Sequence, residues 1–406
     1  MTSAAPTPGR PWRAVLGFGA VSLAADMVYE GARSVSGPLL ASLGAGAAIV
    51  GLVTGAGEAM ALVLRVFSGP LADRTRAYWP ITILGYAMIA VCVPLLAVTP
   101  YVGAAGLALA SVLILAERAG KAVRSPAKSA LLAEVARQVG RGRGFGVHKF
   151  MDELGAFSGP LLVAAILSVG ASMSVALGWL AVPGAAAMVL LFWLSGRTPT
   201  PAPADPDAPR RSWWADTVGS GLGRPFFLFA ACSALTTAGL VTFGIISFHL
   251  DQAHLLPLAA IPVAYAGAQA ASGLVALGNG YAYDRVGPRV LYVLPVLIAA
   301  VPVLAFTWTP WVAVAGVLCW GAANGLQDST VKALVADLVE PGRRATAYGV
   351  FAAIQGAAAI VGGAAAGLLY ERSLPVLIVG VAVTQVAAGV LLWSTIRRTA
   401  HAPTRG

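Results

Sequence analysis

Residues 68–74 read SGPLADR and residues 279–285 read NGYAYDR, so one short pattern occurs twice, about two hundred residues apart. Two more pairs match farther along the chain. SALLAEV at 129–135 resembles KALVADL at 332–338, and RGRGFGV at 141–147 resembles RRATAYGV at 343–350. A duplicated unit explains all three matches, and parallel halves related by an axis along the membrane normal are a recognised transporter architecture.

The composition of the chain requires a membrane as its main solvent. Of its 406 residues, 58% are hydrophobic and only 11% are charged, which is outside the range of soluble domains. A spanning helix needs about 20 apolar residues, and runs of that length recur along the chain. We predict twelve spanning segments, at 12–40, 46–70, 80–98, 102–124, 144–168, 172–195, 225–250, 257–283, 289–308, 311–337, 345–370 and 374–396.

Basic residues between these segments alternate with short, nearly uncharged loops, which places them all on one side of the membrane. They are Arg74, Arg76, Lys128, Arg137, Arg141, Arg143, Arg197, Arg210, Arg211, Arg285, Arg289, Arg343, Arg344, Arg397 and Arg398. By the positive-inside rule, both termini are cytoplasmic. The first apolar segment carries Asp26 and Glu30, so we expect no cleaved signal peptide.

The predicted fold is an all-α integral membrane protein with twelve transmembrane helices in two pseudo-symmetric six-helix bundles. The bundles are residues 1–195 and 225–406, and the Pro-rich stretch 196–224 is a cytoplasmic linker. The expected location is the inner (cytoplasmic) membrane, with multiple passes. The net charge of +10 arises from the basic clusters at segment ends, so we expect membrane lipid as a partner and no nucleic acid.

The repeated pattern also resembles a known motif. It is similar to the loop motif, G-x-L-a-D-r-x-G-r, that the major facilitator superfamily carries between its second and third helices, and the resemblance to that family covers essentially the whole chain. It implies a cytoplasmic gating latch, in which the aspartate pairs with arginine or caps a neighbouring helix. The corresponding residues are Gly69, Asp73, Arg74, Gly280, Asp284 and Arg285.

A second resemblance lies on the fifth segment. Gly155, Gly159 and Pro160 are similar to the antiporter motif of the same superfamily, g-x-x-x-G-P-x-x-G-G. Ordinary close packing of helices explains the same spacing equally well, because small residues four apart let backbones approach. The stretch 117–162 also resembles a branch of bacterial permeases that is described mainly as efflux proteins.

Several ionisable residues fall inside predicted spans, where each costs at least about 2.5 to 3.5 kcal/mol and needs a partner, a proton or water. Asp26, Glu30 and Arg33 share one helix face on the first segment. Glu30 and Arg33 can form a structural ion pair, which leaves Asp26 unpaired. Glu58 lies near the bilayer centre on the second segment. We predict that Asp26, Glu58 and Asp152 couple transport to protons.

The fourth and fifth segments predict a buried charge network. They are consecutive and antiparallel, so Glu117, Arg118 and Lys121 should reach the depth of His148 and Asp152. An ion-pair lattice that holds the bundle together and a solute site are both consistent with this pattern. We assign solute binding to Glu30, Glu117, Arg118, Lys121, Arg124, His148, Gln269, Asn324, Gln327 and Gln355, where the last four supply neutral hydrogen bonds from the second half.

These features together predict a proton-coupled secondary antiporter that exports a small organic or amphiphilic solute by alternating access. The alternative is a proton symporter that imports a small anionic metabolite, with the arginines and lysine of the fourth segment as an anion clamp. We expect a monomer without cofactor or metal, since Cys92, Cys232 and Cys319 lie singly in apolar surroundings. A membrane enzyme using His148 and Asp152 lacks further support, and no Walker-type loop indicates ATP as the energy source.

Overall fold

The computed structural model describes residues 10–198, 222–339 and 344–400. Within those residues the chain is helical, with fifteen α-helices joined by turns and three short 3₁₀ segments. The helices are α1 (Arg10–Ser34), α2 (Ser36–Ser42), α3 (Ala47–Thr75), α4 (Tyr78–Leu95), α5 (Gly106–Ala136), α6 (Arg141–Ser168), α7 (Met173–Trp179), α8 (Ala181–Ser195), α9 (Arg224–Gly239), α10 (Phe243–Gln252), α11 (Ala260–Val286), α12 (Val293–Ala305), α13 (Pro310–Leu338), α14 (Arg344–Arg372) and α15 (Leu374–Ala400). Most of the predicted linker lies outside the described residues.

Two predicted segments are broken helices. The segment predicted at 12–40 divides at Val35, because Pro38 has no N–H to donate to the carbonyl four residues earlier. The segment predicted at 225–250 divides at residues 240–242, where the backbone is extended. The break frees the Val241 carbonyl, which accepts a hydrogen bond of 2.8 Å from the Trp320 indole. The first break therefore follows from a proline in the segment itself, whereas the second is accompanied by a tertiary hydrogen bond.

Eleven of the helical stretches among the described residues are long and apolar enough to cross a membrane. The twelfth predicted segment corresponds to α13, which has 29 residues. Its length suffices, but Asn324, Gln327 and Asp328 lie within it and lower its mean hydropathy. The crossing of the membrane by α13, and with it the count of twelve, stays a prediction.

The described residues form two compact units, and the first comprises residues 10–33 and 67–198. Its apolar core lies between α1, α4, α5 and α8, and Phe18 stacks on Trp79 with ring centres 5.8 Å apart. Glycines bring α4 and α5 together, since a Cβ at Gly85 would lie 2.5 Å from the Gly120 carbonyl oxygen. This tight packing fixes α1, α4 and α5 around the charged residues described below.

The second unit comprises residues 34–66, 222–339 and 344–400, so it includes α2 and most of α3. Small residues cause this grouping. A Cβ at Gly51 of α3 would lie 2.2 Å from the Gly363 carbonyl oxygen of α14, and one at Gly37 would lie 2.2 Å from the Gly244 carbonyl oxygen of α10. The predicted bundles, 1–195 and 225–406, are defined by the sequence repeat and not by contacts, and that division stays a prediction.

A carboxylate caps the start of α3 in the second unit. Glu371 Oε1, near the end of α14, accepts a hydrogen bond of 3.0 Å from the Ala48 backbone N–H. We expect Glu371→Ala to lower the free energy of unfolding by about 1 kcal/mol, as other lost N-terminal caps do. Thermal unfolding of the purified protein in detergent measures this. Glu371→Gln keeps an oxygen acceptor and should lose less; an alanine variant as stable as the original chain would contradict the cap.

Candidate functional site

A group of ionisable side chains lies buried in the first unit, on α1, α5 and α6. We call it the charge cluster. It contains four carboxylates, five cationic side chains and one histidine, joined by salt bridges and hydrogen bonds. Its members are Asp26, Glu30, Arg33, Glu117, Arg118, Lys121, Arg124, Lys128, His148 and Asp152.

The centre of the cluster is a pair between α1 and α5. Arg124 Nη2 donates to Asp26 Oδ1 at 3.2 Å, and its guanidinium carbon lies 4.1 Å from the ring centre of Tyr86 on α4. Arg124 is only 3% exposed. The expectation that Asp26 has no partner is therefore wrong. The spacing of charges along one segment relates Asp26 only to residues of its own helix, whereas its partner Arg124 comes from α5.

A second group surrounds Tyr29 on α1. Lys121 Nζ lies 3.5 Å from the centre of the Tyr29 ring and 3.8 Å from Glu30 Oε1. Arg118 donates to the Tyr29 hydroxyl at 2.9 Å and pairs with Glu117 at 2.9 Å. The predicted pair of Glu30 with Arg33 is also present, at 3.8 Å. Lys121 is the most accessible member here, since 23% of its side chain is exposed.

A third group joins α1, α5 and α6 at the other end of the cluster. Lys128 Nζ donates to Ser22 Oγ at 3.1 Å and lies 4.0 Å from Asp152 Oδ1. His148 Nε2 is 2.9 Å from Ser22 Oγ, while its Nδ1 is 3.9 Å from Asp152 Oδ2. Asp152 is thus flanked by two nitrogens without a hydrogen bond to either at these distances.

The structure corrects the predicted register of α5 against α6. Lys128, and not Glu117, Arg118 or Lys121, lies beside Asp152. The reason is helix length: α5 continues to Ala136 and α6 starts at Arg141, so the turn falls farther along α5 than the predicted segment ends imply. The sequence placed Lys128 in a loop, and that placement is wrong, since Lys128 lies within α5 and its side chain is 12% exposed.

Some buried polar atoms of the cluster have no hydrogen-bond partner among the described residues. They are Glu117 Oε2, Arg124 Nε and Asp152 Oδ1. A buried polar or charged atom without a hydrogen-bond partner is costly, so these three atoms are the ones in the cluster with hydrogen-bonding capacity left. His, Cys, Asp and Glu side chains form no group of three that could hold a metal ion in the described part of the chain.

The second unit holds the neutral residues that the sequence assigned to solute binding. Gln355 Nε2 donates to Ser233 Oγ at 2.8 Å, and Gln327 Nε2 donates to Thr237 Oγ1 at 3.1 Å. Asn324 donates to the Trp320 carbonyl of its own helix at 3.0 Å. The Gln327 Oε1 atom accepts no hydrogen bond from a described residue. Gln327 of α13 and Gln355 of α14 both donate to Thr237 of α9, whereas the Asn324 hydrogen bond lies within α13.

Other predicted site residues lie on α3 and α11, which also carry the two copies of the repeated motif. Glu58 and Gln269 are half-buried on α3 and α11 of the second unit. In the first copy of the repeated motif, Asp73 Oδ1 accepts a hydrogen bond of 2.9 Å from the Tyr78 hydroxyl, and Arg74 is exposed. In the second copy, Arg285 is exposed. The side chain of Asp284 lies outside what the structure describes, as does Gly280 beyond its helical backbone.

The glycines of the antiporter-like motif lie against α1. A Cβ at Gly155 would be 2.3 Å from the Leu23 carbonyl oxygen, and one at Gly159 would be 2.3 Å from that of Met27. Pro160 is buried within the same helix. These contacts hold α6 close to the turn of α1 that carries Asp26, so the motif has a packing role at this position.

Comparison with known proteins identifies the family of this chain. The sequence profile of the Major Facilitator Superfamily (MFS) matches residues 18–279 and 258–406. The chain belongs to the Major Facilitator Superfamily. An uncharacterized protein of Mycobacterium tuberculosis is 48% identical to it over 392 residues, which are 94% of this chain and 93% of that protein. An uncharacterized MFS-type transporter of Methanocaldococcus jannaschii is 25% identical over 390 residues, 93% of each chain.

Solved structures show the same MFS fold. A variant of the nucleoside transporter NupG has a TM-score of 0.77 at 15% identity, covering 94% of this chain and 99% of that one. The peptide transporter POT in complex with sulfate has a TM-score of 0.75 at 13% identity, covering 95% and 94%. The chain is therefore a multi-pass membrane protein with a transporter fold, and MFS transporters carry small-molecule solutes.

Four residues at the site escaped the sequence analysis: Lys128, which belongs to the charge cluster, and three residues in contact with the cluster or its serine. Ser22, Tyr29 and Tyr86 are uncharged, and nothing in a single sequence distinguishes them from other helical serines and tyrosines. Lys128 carried a usable signal, because it lies seven residues after Lys121 on the same helix face. Because the predicted segment ended at residue 124, Lys128 was assigned to a loop and its position on that helix face was missed.

Proposed function

We propose that this MFS protein is a proton-coupled secondary active transporter, and specifically an antiporter that exports a small organic or amphiphilic solute by alternating access. The observation that carries the proposal is the pairing of two carboxylates with cations on α5. Asp26 pairs with Arg124 and Asp152 lies beside Lys128, and the carboxylate side chains are 14% and 19% exposed. Each is thus buried enough to need a counter-charge and open enough to exchange a proton.

Alternating access supplies the reason for the coupling. A carboxylate that binds a proton loses its attraction for the neighbouring cation, which can then bind another partner. Arg124 and Lys128 lie on the same helix, so protonation of either carboxylate alters the charge that α5 presents. A solute whose binding favours the deprotonated state then moves against the proton.

A specific observation favours the second candidate, a proton symporter that imports a small anionic metabolite. The charge cluster contains Arg33, Arg118, Lys121, Arg124 and Lys128 against four carboxylates, which leaves a surplus of one positive charge. Protonation of one carboxylate would raise that surplus and strengthen the attraction for an anion. Symport of an anion with protons is the consequence of such a site.

Proteoliposomes with an imposed pH gradient separate the two candidates. The full chain is reconstituted into liposomes that contain a pH-sensitive dye. The lumen is made more acidic than the outside, and candidate solutes are then added one at a time to the outside while this gradient persists. For an exporter, a solute that moves against protons dissipates a gradient that is acidic inside. For the importer, an anionic solute instead carries protons inward and acidifies the lumen. Liposomes without protein control for passive leakage of weak acids and bases.

We expect neutralisation of the coupling carboxylates to remove pH dependence from transport. Asp26→Asn, Asp152→Asn and Glu58→Gln each keep the shape of the side chain and remove its titration. For Asp152→Asn we expect about a hundredfold loss of proton-driven transport, since a positioned proton carrier commonly contributes that much. Solute exchange at equal pH on both sides should change much less.

The matched control for this series is Glu153→Gln. Glu153 follows Asp152 directly, but its side chain is 41% exposed and pairs with Lys149 at 2.6 Å on the helix surface. Its neutralisation should leave the pH profile unchanged. If all three carboxylate variants keep the pH profile of the original chain, proton coupling through these residues is refuted.

A further inference from the structure

Ser22 of α1 occupies an unusual position among charged residues. Its side chain is fully buried and contacts one polar group from each of three other helices. Ser22 Oγ lies 3.1 Å from the Tyr86 hydroxyl on α4, 3.1 Å from Lys128 Nζ on α5 and 2.9 Å from His148 Nε2 on α6. Neither the family nor the proposed function assigns a role to this serine.

The hydroxyl of Ser22 can satisfy all three partners, but only in two ways. It has one hydrogen to donate and two lone pairs to accept with, and Lys128 can only donate. One lone pair therefore accepts from Lys128. Of the two remaining partners, either the Tyr86 hydroxyl donates and His148 Nε2 accepts, or His148 donates and Tyr86 accepts. Every hydrogen-bonding site of the serine is used in both arrangements.

The contact with Lys128 also determines where that ammonium lies. Lys128 Nζ is within hydrogen-bond distance of Ser22 Oγ at 3.1 Å, but lies 4.0 Å from Asp152 Oδ1. Asp152 Oδ1 has no hydrogen-bond partner among the described residues. The lysine is thus bound to a neutral hydroxyl in preference to a carboxylate only slightly farther away. A direct bond to the carboxylate would be the stronger interaction.

We propose that Ser22 is a positioning residue that holds Lys128 back from Asp152 and thereby keeps Asp152 able to bind and release a proton. The inference rests on the proposed proton coupling, and it assigns to Ser22 the control of how readily Asp152 binds a proton. The charged and titratable groups that face this site are Asp26 from α1, Tyr86 from α4, Arg124 and Lys128 from α5, and His148 and Lys149 from α6.

Removal of Ser22 and removal of Lys128 should have opposite effects. In Ser22→Ala, Lys128 loses its hydroxyl acceptor and, since a buried ammonium needs one, closes on Asp152 Oδ1. The pH at which half of Asp152 is protonated should then fall by about one unit, because a nearby cation favours the charged carboxylate. In Lys128→Gln the cation is gone, and the same midpoint should rise by about one unit.

Infrared titration of the purified full-length protein in detergent tests this without any solute. The C=O stretch of the protonated Asp152 carboxyl is assigned by its loss in Asp152→Asn, and its intensity is followed against pH. We expect the midpoint to fall in Ser22→Ala and to rise in Lys128→Gln. The double variant should match Lys128→Gln, because Ser22 acts only through the lysine.

Other results would overturn the inference. A midpoint that stays unchanged or rises in Ser22→Ala contradicts it, and so does a double variant that lies midway between the two single ones. A band that does not titrate in the original chain contradicts it as well. The transport proposal fails separately, if the original chain moves no protons in response to any solute while the infrared midpoints shift as expected.

Discussion

Replacement of Arg124 by methionine is expected to cause the largest loss of stability of any single substitution in the charge cluster. Arg124 is 3% exposed and bonds Asp26 at 3.2 Å, so its removal leaves a buried carboxylate without its hydrogen-bonded counter-charge. Breaking one half of a buried ion pair costs about 3 to 5 kcal/mol. Loss of the stacking on Tyr86 adds to this. We expect little folded protein and a markedly lower melting temperature in detergent.

The double variant Asp26→Asn with Arg124→Met tests the cause of that loss. If the stranded carboxylate is responsible, neutralising it should restore most of the folded yield and melting temperature, although transport stays impaired. Lys149→Met is the matched control, because Lys149 pairs with Glu153 on the surface and is 68% exposed. An exposed pair contributes at most about 1 kcal/mol. A double variant no more stable than Arg124→Met would show that the ion pair is not the reason.

The fold could be predicted from the sequence to the level of its spanning helices. Apolar runs determine where helices lie in a membrane, and the resemblance to the family is confirmed by the match over residues 18–406. Helix breaks were not predicted. The break at Val35 follows from Pro38, which the hydropathy of a window does not register. The extended residues 240–242 depend on the Trp320 indole, which is a tertiary contact.

The charge cluster shows a different limit. Spacing on one helix placed Asp26, Glu30 and Arg33 on a shared face and predicted the pair of Glu30 with Arg33. The partners across helices depend on the register of α5 against α6. If the position of the turn between them is wrong by a few residues, Lys121 is predicted beside Asp152 in place of Lys128. The uncharged Ser22 lies where α1 meets α4, α5 and α6, and its three polar contacts come from those other helices. A single sequence does not contain that information.

Gly159→Ala is expected to be the most damaging single-atom enlargement in the first unit. The added Cβ would lie 2.3 Å from the Met27 carbonyl oxygen and 2.7 Å from its Cα, so the backbones of α6 and α1 must separate. Overpacking of this kind costs about 3 kcal/mol where backbone faces backbone. The displaced turn of α1 carries Asp26 and Glu30, so we expect loss of transport together with a lower melting temperature.

Two further glycines decide what this result means. Gly146→Ala on the same helix is the control, since a Cβ there would meet no described atom within 4 Å apart from the neighbouring backbone of its helix, and alanine favours a helix. Gly362 of α14 occupies the position of the repeat that corresponds to Gly159, and a Cβ there would lie 2.3 Å from the Ala238 carbonyl oxygen in the second unit. If close packing explains these glycines, Gly362→Ala and Gly159→Ala should be destabilised alike. If the antiporter-like motif has a role of its own, Gly159→Ala should lose proton-driven export while its melting temperature stays near that of Gly146→Ala. That outcome would contradict the packing explanation.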